Sequence, residues 1–445
     1  MFVLEELKTV FARSPSVSFI QPFLQDHPNA ELYLVGGAVR DLLLKRVVHD
    51  VDFDFVIRGL TQEEIQAWFD EKGTMDFTGA HFGIFKFMPN GFDPHKTKFI
   101  DIALPRTEQS HEKSAGGYRE FYIHSDPQLP IEDDLSRRDF TINAMAIHVK
   151  TGKLIDPFGG QADLQDEILR AVGNPDDRFK EDLTRMLRGI RFATELSFTI
   201  EQTTLEAIQQ RIAHIHTQQQ GDYLVSRETL GLELAKAFAK HPAGAGVWLD
   251  LCGALPVLFP GVQQSAIERL KEVKSGHPQL AITLLLLDLP SEQVKNILLE
   301  TGLCTLPKGS SLRIDTDAVV IAIQRVQEAT SETWIQGMRA HRFEKLFMNE
   351  SGAFLFNLLK HTGKADIAQL AHQRKEQIEE RWSIGAYEYI AHLISGDDVL
   401  SANIQPGPRV RQILEHVRDE QLEGRIMTRE QALSALRTSI GTKET

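Results

Sequence analysis

The chain has 445 residues, of which 42% are hydrophobic and 25% charged, with a formal net charge of −13. That length supports about two to four domains with sizeable cores, and the composition is ordinary for a soluble protein. Phosphate contacts need Lys and Arg, so the acidic balance argues against broad nucleic-acid affinity and leaves room only for a local basic groove.

Residues 1–29 read as one amphipathic helix, with Val3, Leu4, Leu7, Val10 and Phe11 at helical spacing, followed by a Pro-containing connection. The N-terminus carries acidic residues early and lacks a secretory pattern. The longest apolar run, from Leu280 to Leu287, contains Thr283 and is too short to span a bilayer. The two cysteines, Cys252 and Cys304, have no metal-ligand spacing, so reduced thiols and a cytoplasmic location with no membrane are expected.

The stretch from Leu32 to Ile57 is the most informative. Tyr33-Leu34-Val35 predicts a short buried strand, which ends in Gly36-Gly37 and leads into a helix carrying Val39, Leu42, Leu43 and Leu44. A second strand follows with Asp52 and Asp54 on alternate positions, hence on one face, while Val51, Phe53 and Phe55 fit a core. Two adjacent carboxylates resist ionising together, and a divalent metal removes that difficulty. Mg²⁺ is commonly held by one or two carboxylates together with substrate phosphates. Glycines let a backbone approach a phosphate closely, and a helix N-terminus attracts anions. In the first turn, Arg40 can add a phosphate contact and Asp41 an orienting hydrogen bond. This arrangement points to nucleotidyl transfer.

Leu34-Val35-Gly36-Gly37-Ala38-Val39-Arg40-Asp41 followed by Asp52-Phe53-Asp54 resembles the head of bacterial CCA-adding enzymes and poly(A) polymerases, nucleotidyltransferases of the polymerase-β superfamily. The fold this implies is α+β: a small catalytic head, then an all-helical neck, body and tail. The boundaries expected are 1–29 for the N-terminal helix, 30–150 for the head, 151–238 for the neck, 239–330 for the body and 331–445 for a tRNA-binding tail.

Further along the head, Thr61 predicts a helix N-cap over 61–72, with Glu64 completing a capping box. Gly83–Phe87 and Lys98–Ala103 alternate as strands. By resemblance, Asp101 is a candidate third carboxylate. Arg106-Thr107-Glu108 opens a polar stretch through Gly116-Gly117-Tyr118 that reads as a surface loop and resembles the family's flexible loop. Asp133-Asp134-Leu135-Ser136 then leads into Arg137-Arg138-Asp139-Phe140-Thr141-Ile142-Asn143-Ala144, which matches the family's RRDFTINA motif. Paired arginines suit triphosphate oxygens. Asp139 and Asn143, four apart on an expected helix face, can bond a ribose or brace the arginines.

After the turn-rich Asp156–Gly160 the pattern becomes helical almost throughout. In the segment Arg178–Phe192, Phe179, Leu183, Met186, Leu187 and Ile190 form an apolar stripe, while Asp182, Arg185 and Arg188 step by three along another face. This EDxxR helix resembles the family's nucleotide-selecting motif. Cytosine and adenine both show an amino donor beside a ring-nitrogen acceptor, which a carboxylate and a guanidinium complement. Guanine and uracil show the reverse. A buried unmatched polar group costs roughly 1–3 kcal/mol, so two mismatches give discrimination on the order of a thousandfold. By resemblance, Arg188 and Arg191 are further nucleotide contacts. Val225–Leu234 resembles a further family element loosely, and no His-Asp dipeptide follows the head, so the phosphohydrolase domain of some relatives is not expected. Arg339, His341, Arg342, Lys345, Lys360 and Lys364 form a mildly basic region, read equally as solvated helix faces or as RNA contacts. The end of the chain resembles family tails, except that Asp397 stands where Lys is usual.

The resemblance implies addition of CCA to the tRNA 3′ end from CTP and ATP, with two Mg²⁺ ions at Asp52 and Asp54 and no protein partner. Poly(A) synthesis, A-addition or CC-addition share most of these motifs. An inactive RNA-binding protein is the alternative from another class.

Overall fold

The computed structural model describes residues 2–46, 52–76, 84–93, 97–110, 121–383 and 390–441. Val51, Gly83 and Gly116-Gly117-Tyr118 lie outside them. The chain divides into two compact units, one of residues 1–260 with 300–306, the other of 261–299 with 307–445. The segment 239–330, expected as one body, is thus shared between them at 260/261.

The first unit is built on a mixed sheet of seven strands. They are β1 (Glu31–Val35), β2 (Asp54–Arg58), β3 (Gly73–Asp76), β4 (Ile84–Pro89), β5 (Ile100–Ala103), β8 (Ala146–His148) and β9 (Leu154–Ile155), in the spatial order β3-β4-β5-β2-β1-β8-β9. Two further strands, β6 (Arg106–Ser110) and β7 (Phe121–Ser125), form a separate antiparallel hairpin. The surface loop expected from Arg106 therefore begins as a strand. The main sheet also takes in Leu154–Ile155, beyond the head boundary expected at 150.

Strand β1 is central, and Leu32, Tyr33, Leu34 and Val35 are all buried. A strand covered on both faces reads as a continuous apolar run, which is what made it legible. Helix α3 (Gly37–Leu43) leaves β1 directly, with Val39 and Leu42 buried as expected. Helix α4 (Gln62–Asp70) starts at the Thr61 capping box, in which Thr61 and Glu64 bond each other's backbone amides.

Phe53 and Phe55 go to one side of the sheet and meet an aromatic cluster. Phe11 stands 5.9 Å from Phe53, Phe19 6.0 Å from Phe55, and Phe69 4.7 Å from Phe87. Phe11 and Phe19 come from the N-terminal segment, which is not one helix. It forms α1 (Phe2–Ala12), a 3-10 turn (Pro15–Val17) and α2 (Ile20–Asp26). Pro15 has no amide to continue α1, and the break lets Phe19 and Phe23 turn into the cluster. The other side of the sheet buries Tyr33, Val35 and Val56 against Ile131 and Leu135 of α5 (Ile131–Ser136).

Beyond the sheet come α6 (Gly160–Gln165), α7 (Pro175–Glu181), α8 (Thr184–Leu196), α9 (Gln202–Arg211) and α10 (Arg227–Lys240), with α8 packed on α10. The expected neck stripe of Phe179, Leu183, Met186, Leu187 and Ile190 is buried throughout.

The second unit is helical over its described residues, with a core that includes Val399, Ile413, Val417, Ala432 and Leu436. Its basic segment is largely taken up internally. Arg339 and His341 bond Asp419, Arg342 pairs with Glu328, and Lys364 donates to the carbonyls of Val326 and Ala329. Among the described residues, no helix is long and apolar enough to cross a membrane.

Phe55 is 1% exposed at the centre of the aromatic cluster. Phe55→Ala should destabilise the first unit by about 3–5 kcal/mol, read by urea denaturation, because a large cavity forms under the sheet. Leu251→Ala, at a side chain 46% exposed, should shift stability by no more than about 0.5 kcal/mol.

Candidate active site

The turn after β1 brings the expected carboxylates and an arginine to one point. Gly36 has φ +73° and ψ −143°, a conformation that L side chains rarely adopt. A Cβ there would stand 3.0 Å from Asp54 Oδ2 and 3.1 Å from Arg138 Nη1. Conformation and space both call for glycine. Gly37 opens α3, where an added Cβ would first meet the Arg40 guanidinium, at 3.5 Å, an ordinary contact.

Pairing of β1 with β2 sets Val35 opposite Asp54, and the parallel pairing of β2 with β5 sets Asp101 beside Asp54. Asp52 precedes β2 instead of lying on it, because the strand begins at Asp54. Asp52 is exposed and pairs with Lys98 at 3.0 Å, while Lys86 stands 4.0 Å from Asp101. The Asp54 carboxyl accepts no hydrogen bond among the described residues. Burial pushes it up to about 6, Arg138 opposes that, and the Asp101 and Asp52 charges add to it. Asp101 is raised as well, by burial first, with Lys86 opposing and Asp52 contributing.

This set suits a divalent cation, which would relieve the mutual repulsion of the carboxylates. Among the described residues, no three His, Cys, Asp or Glu side chains are gathered to hold a metal ion by themselves. Oxygens from a phosphate substrate would have to complete the shell, as is usual for Mg²⁺.

The RRDFTIN segment forms a turn with a 3-10 helix at Thr141–Asn143, not the α-helix expected. The cause is local: the Asp139 carboxylate bonds the Phe140 amide and so competes with helical pairing. The expected meeting of Asp139 and Asn143 nevertheless occurs, with Asn143 Nδ2 donating to Asp139 Oδ1 at 3.2 Å. Arg40 Nη1 donates to Asn143 at 2.9 Å, and Arg40 also forks onto Asp41 at 2.9 and 3.1 Å. Arg188 Nε and Nη2 both reach Asp139 Oδ2 at 2.7 Å. Burial opposes ionisation of Asp139, but Arg188 outweighs it and holds the carboxyl down at about 2. These bonds link α3, the RRD turn and α8. Arg138 is spent differently. Its one hydrogen bond among the described residues is from Nη2 to Asp134 at 3.3 Å, and its buried Nε has no partner.

The neck departs from a single helix at one residue. α7 ends at Glu181, Asp182 is extended (φ −145°, ψ 107°), and α8 begins at Thr184. Asp182 Oδ1 accepts from the Thr184 amide at 2.8 Å and from its hydroxyl at 2.6 Å, and Oδ2 carries no bond among the described residues. The carboxylate thus caps the following helix, as Asp commonly does. Asp182 and Arg185 are 6% and 7% exposed, so they are not a surface pair. Arg185 bonds Glu181 at 2.8 Å and the Arg137 carbonyl at 2.9 Å.

Arg191, expected to hold triphosphate, is buried between Glu233 at 2.5 Å and Glu195 at 2.8 Å. The Phe192 ring lies under three guanidiniums, with Arg40 at 5.3 Å, Arg188 at 5.2 Å and Arg191 at 4.0 Å from its centroid. Asp134, Glu181, Glu233 and Phe192 were not singled out from the sequence. Glu181 and Asp134 had a visible signal, at three or four residues from their arginines.

Asp54 and Asp139 predict opposite pH behaviour. Asp54 titrates higher folded than unfolded, so its cost to stability is absent near pH 4, grows towards pH 6 and is full above it. Asp54→Asn should therefore stabilise the fold at pH 7.5 by on the order of 1–3 kcal/mol, with the gain fading as pH falls to 4. Asp139 titrates lower, so its contribution is present above about pH 4 and lost as pH falls towards 2. Asp139→Asn should destabilise at pH 7.5. Urea midpoints of both variants across this range check the two signs.

With the geometry in place, the comparisons are specific. The family of the poly A polymerase head domain matches residues 32–170. The Multifunctional CCA protein of Verminephrobacter eiseniae is 39% identical over 270 residues, covering 58% of this chain and 58% of that protein. The CCA-adding enzyme of Coxiella burnetii is 35% identical over 274 residues, covering 60% of this chain and 65% of the relative. The chain thus spans 58% to 65% of the length of these curated relatives. The Bacillus stearothermophilus CCA-adding enzyme, solved in complex with CTP, matches with a TM-score of 0.65 at 20% identity, over 95% of this chain and 96% of that one. The Thermotoga maritima CCA-adding enzyme, solved with a tRNA, matches with a TM-score of 0.61 at 21% identity, over 93% and 92%. Residues 32–170 thus match the poly A polymerase head-domain family, and over nearly its whole length the chain has the fold of the CCA-adding enzymes.

Proposed function

We propose that this protein is a template-independent RNA nucleotidyltransferase that adds CCA to the 3′ end of tRNA from CTP and ATP. The observation that carries the reading is the Asp54 carboxyl. It is half-buried, accepts no hydrogen bond among the described residues, and is flanked by Asp101, Asp52 and the Gly36 turn. The chain's similarity to CCA-adding enzymes selects this reaction from others that a carboxylate cluster can serve.

In this reading the RNA 3′-oxygen attacks the α-phosphorus in line, the bond to the leaving pyrophosphate breaks, and the hydroxyl proton is released. Asp52 and Asp54 would hold two Mg²⁺ ions, which supply activation of the hydroxyl and charge neutralisation of the triphosphate. Asp101 adds a third carboxylate beside them. Gly36 and Gly37 admit the triphosphate, and Arg138 brings its Nη1 to the same turn, 3.1 Å from where a Cβ at Gly36 would lie. Asp182 offers Oδ2 to the amino group of C or A, and Arg185 faces the ring nitrogen. Arg40 with Asp41, Arg188 with Asp139 and Asn143, and Arg191 fix the cradle, with Arg188, 38% exposed at its side chain, nearest to reaching a ligand. The helical second unit holds tRNA by shape and phosphate contacts. Arg342 and Lys345, with 50% and 65% of their side chains exposed, are candidates for those contacts. A cytoplasmic enzyme is the reading that goes with these substrates.

The test is incubation of tRNA lacking its 3′ end with labelled CTP and ATP, separately and together. CCA addition is expected. Long ATP runs without CTP would indicate poly(A) synthesis, and incorporation of neither nucleotide would sink the enzyme reading. Asp54→Ala should abolish incorporation almost completely. Asp182→Ala should mainly lower discrimination of C and A against U and G, by about 10–100-fold, the loss expected for one unmatched buried group. Unchanged selectivity in Asp182→Ala would remove the neck from base choice.

A further inference from the structure

Asp134 is fully buried on α5 and carries both arginines of the RRD motif. Arg137 Nε and Nη2 reach its Oδ1 at 3.0 and 2.8 Å, and Arg138 Nη2 reaches Oδ2 at 3.3 Å. Burial works against the charge, yet Arg137 and Arg138 hold the carboxyl below the usual range. A buried carboxylate shared by two guanidiniums is weak evidence for stability, since apolar replacements of such groups are often as stable. The placement it enforces is the informative part. Arg138 makes no other hydrogen bond among the described residues, its Nε is buried and unpartnered, and its Nη1 stands 3.1 Å from where a Cβ at Gly36 would lie. The bond to Asp134 is thus what aims this guanidinium at the Gly36–Asp54 cradle while leaving its Nη1 for a ligand.

We propose that Asp134 is a positioning residue for the nucleotide: it holds Arg138 in the orientation that meets the triphosphate, without touching the nucleotide itself. This rests on the reading of the cradle as a nucleoside triphosphate site. An arginine fork binds phosphate by geometry as well as charge, so an unheld guanidinium loses affinity even though its charge remains.

The experiment is a titration of CTP in Mg²⁺ buffer against the full-length wild type, Asp134→Asn, Arg138→Gln and the double variant, with folding of each checked by near-UV circular dichroism. Asp134→Asn should weaken CTP by about tenfold, and should have no further effect in the Arg138→Gln background. A structural role alone would lower the folded fraction, leave the affinity of the folded protein unchanged, and act equally in both backgrounds. Should Asp134→Asn fail to fold, Arg138→Lys replaces it, keeping the charge and losing the fork. It should then bind CTP as weakly as Arg138→Gln. Wild-type affinity in Asp134→Asn or in Arg138→Lys overturns the positioning role while the triphosphate reading stands. A wild type that does not bind CTP overturns both.

Discussion

The pairing of Asp139 with Arg188 is the contact on which the site depends. Two guanidinium nitrogens converge on one carboxylate oxygen at 2.7 Å, joining the RRD turn to the neck helix. Asn143 extends the link to Arg40 on the helix that follows the glycine turn. The helix after the glycine turn and the neck helix, more than a hundred residues apart in sequence, are thereby joined through side chains. Removing Arg188 would leave Asp139, which is buried, as an unmatched charge, the more damaging way to break such a pair.

Much of this frame was legible in the sequence. The continuous apolar run of β1, the burial of Phe53 and Phe55, and the Thr61 capping box each obey a local rule, and the structure follows it. The likeness of the head motifs to CCA-adding enzymes led to the same fold. The departures share a cause. Pro15, Asp139 and Asp182 each stand inside a plausible helical pattern, and each ends or prevents a helix by removing a donor or capping a backbone amide. Periodicity detects which residues face a core, and the stripe through Leu183 and Met186 is indeed buried. It does not detect a break at which the stripe resumes in phase.

Side-chain partnerships were the least legible part. Arg40, Arg188 and Arg191 were all expected at phosphates, and the structure gives each a carboxylate partner: Asp41, Asp139 and Glu233. Two of those bonds, Arg188–Asp139 and Arg191–Glu233, span elements whose approach only the tertiary fold decides. Arginine spacing alone cannot separate a guanidinium that meets a ligand from one that braces it. The distinction lies in unused donors, which is why Arg138 stands apart.

The Phe192 ring lies within 4.0 to 5.3 Å of three guanidinium carbons, and each of those arginines already has its own acidic partner. The ring fills the space between like charges without adding a further ion, so the junction is close to neutral. Mobile ions therefore have little to screen there, whereas contacts to an RNA backbone weaken steeply as salt rises. The two halves of the proposed reaction should thus respond differently to ionic strength, with the hold on the polynucleotide fading well before the geometry that chooses the incoming base.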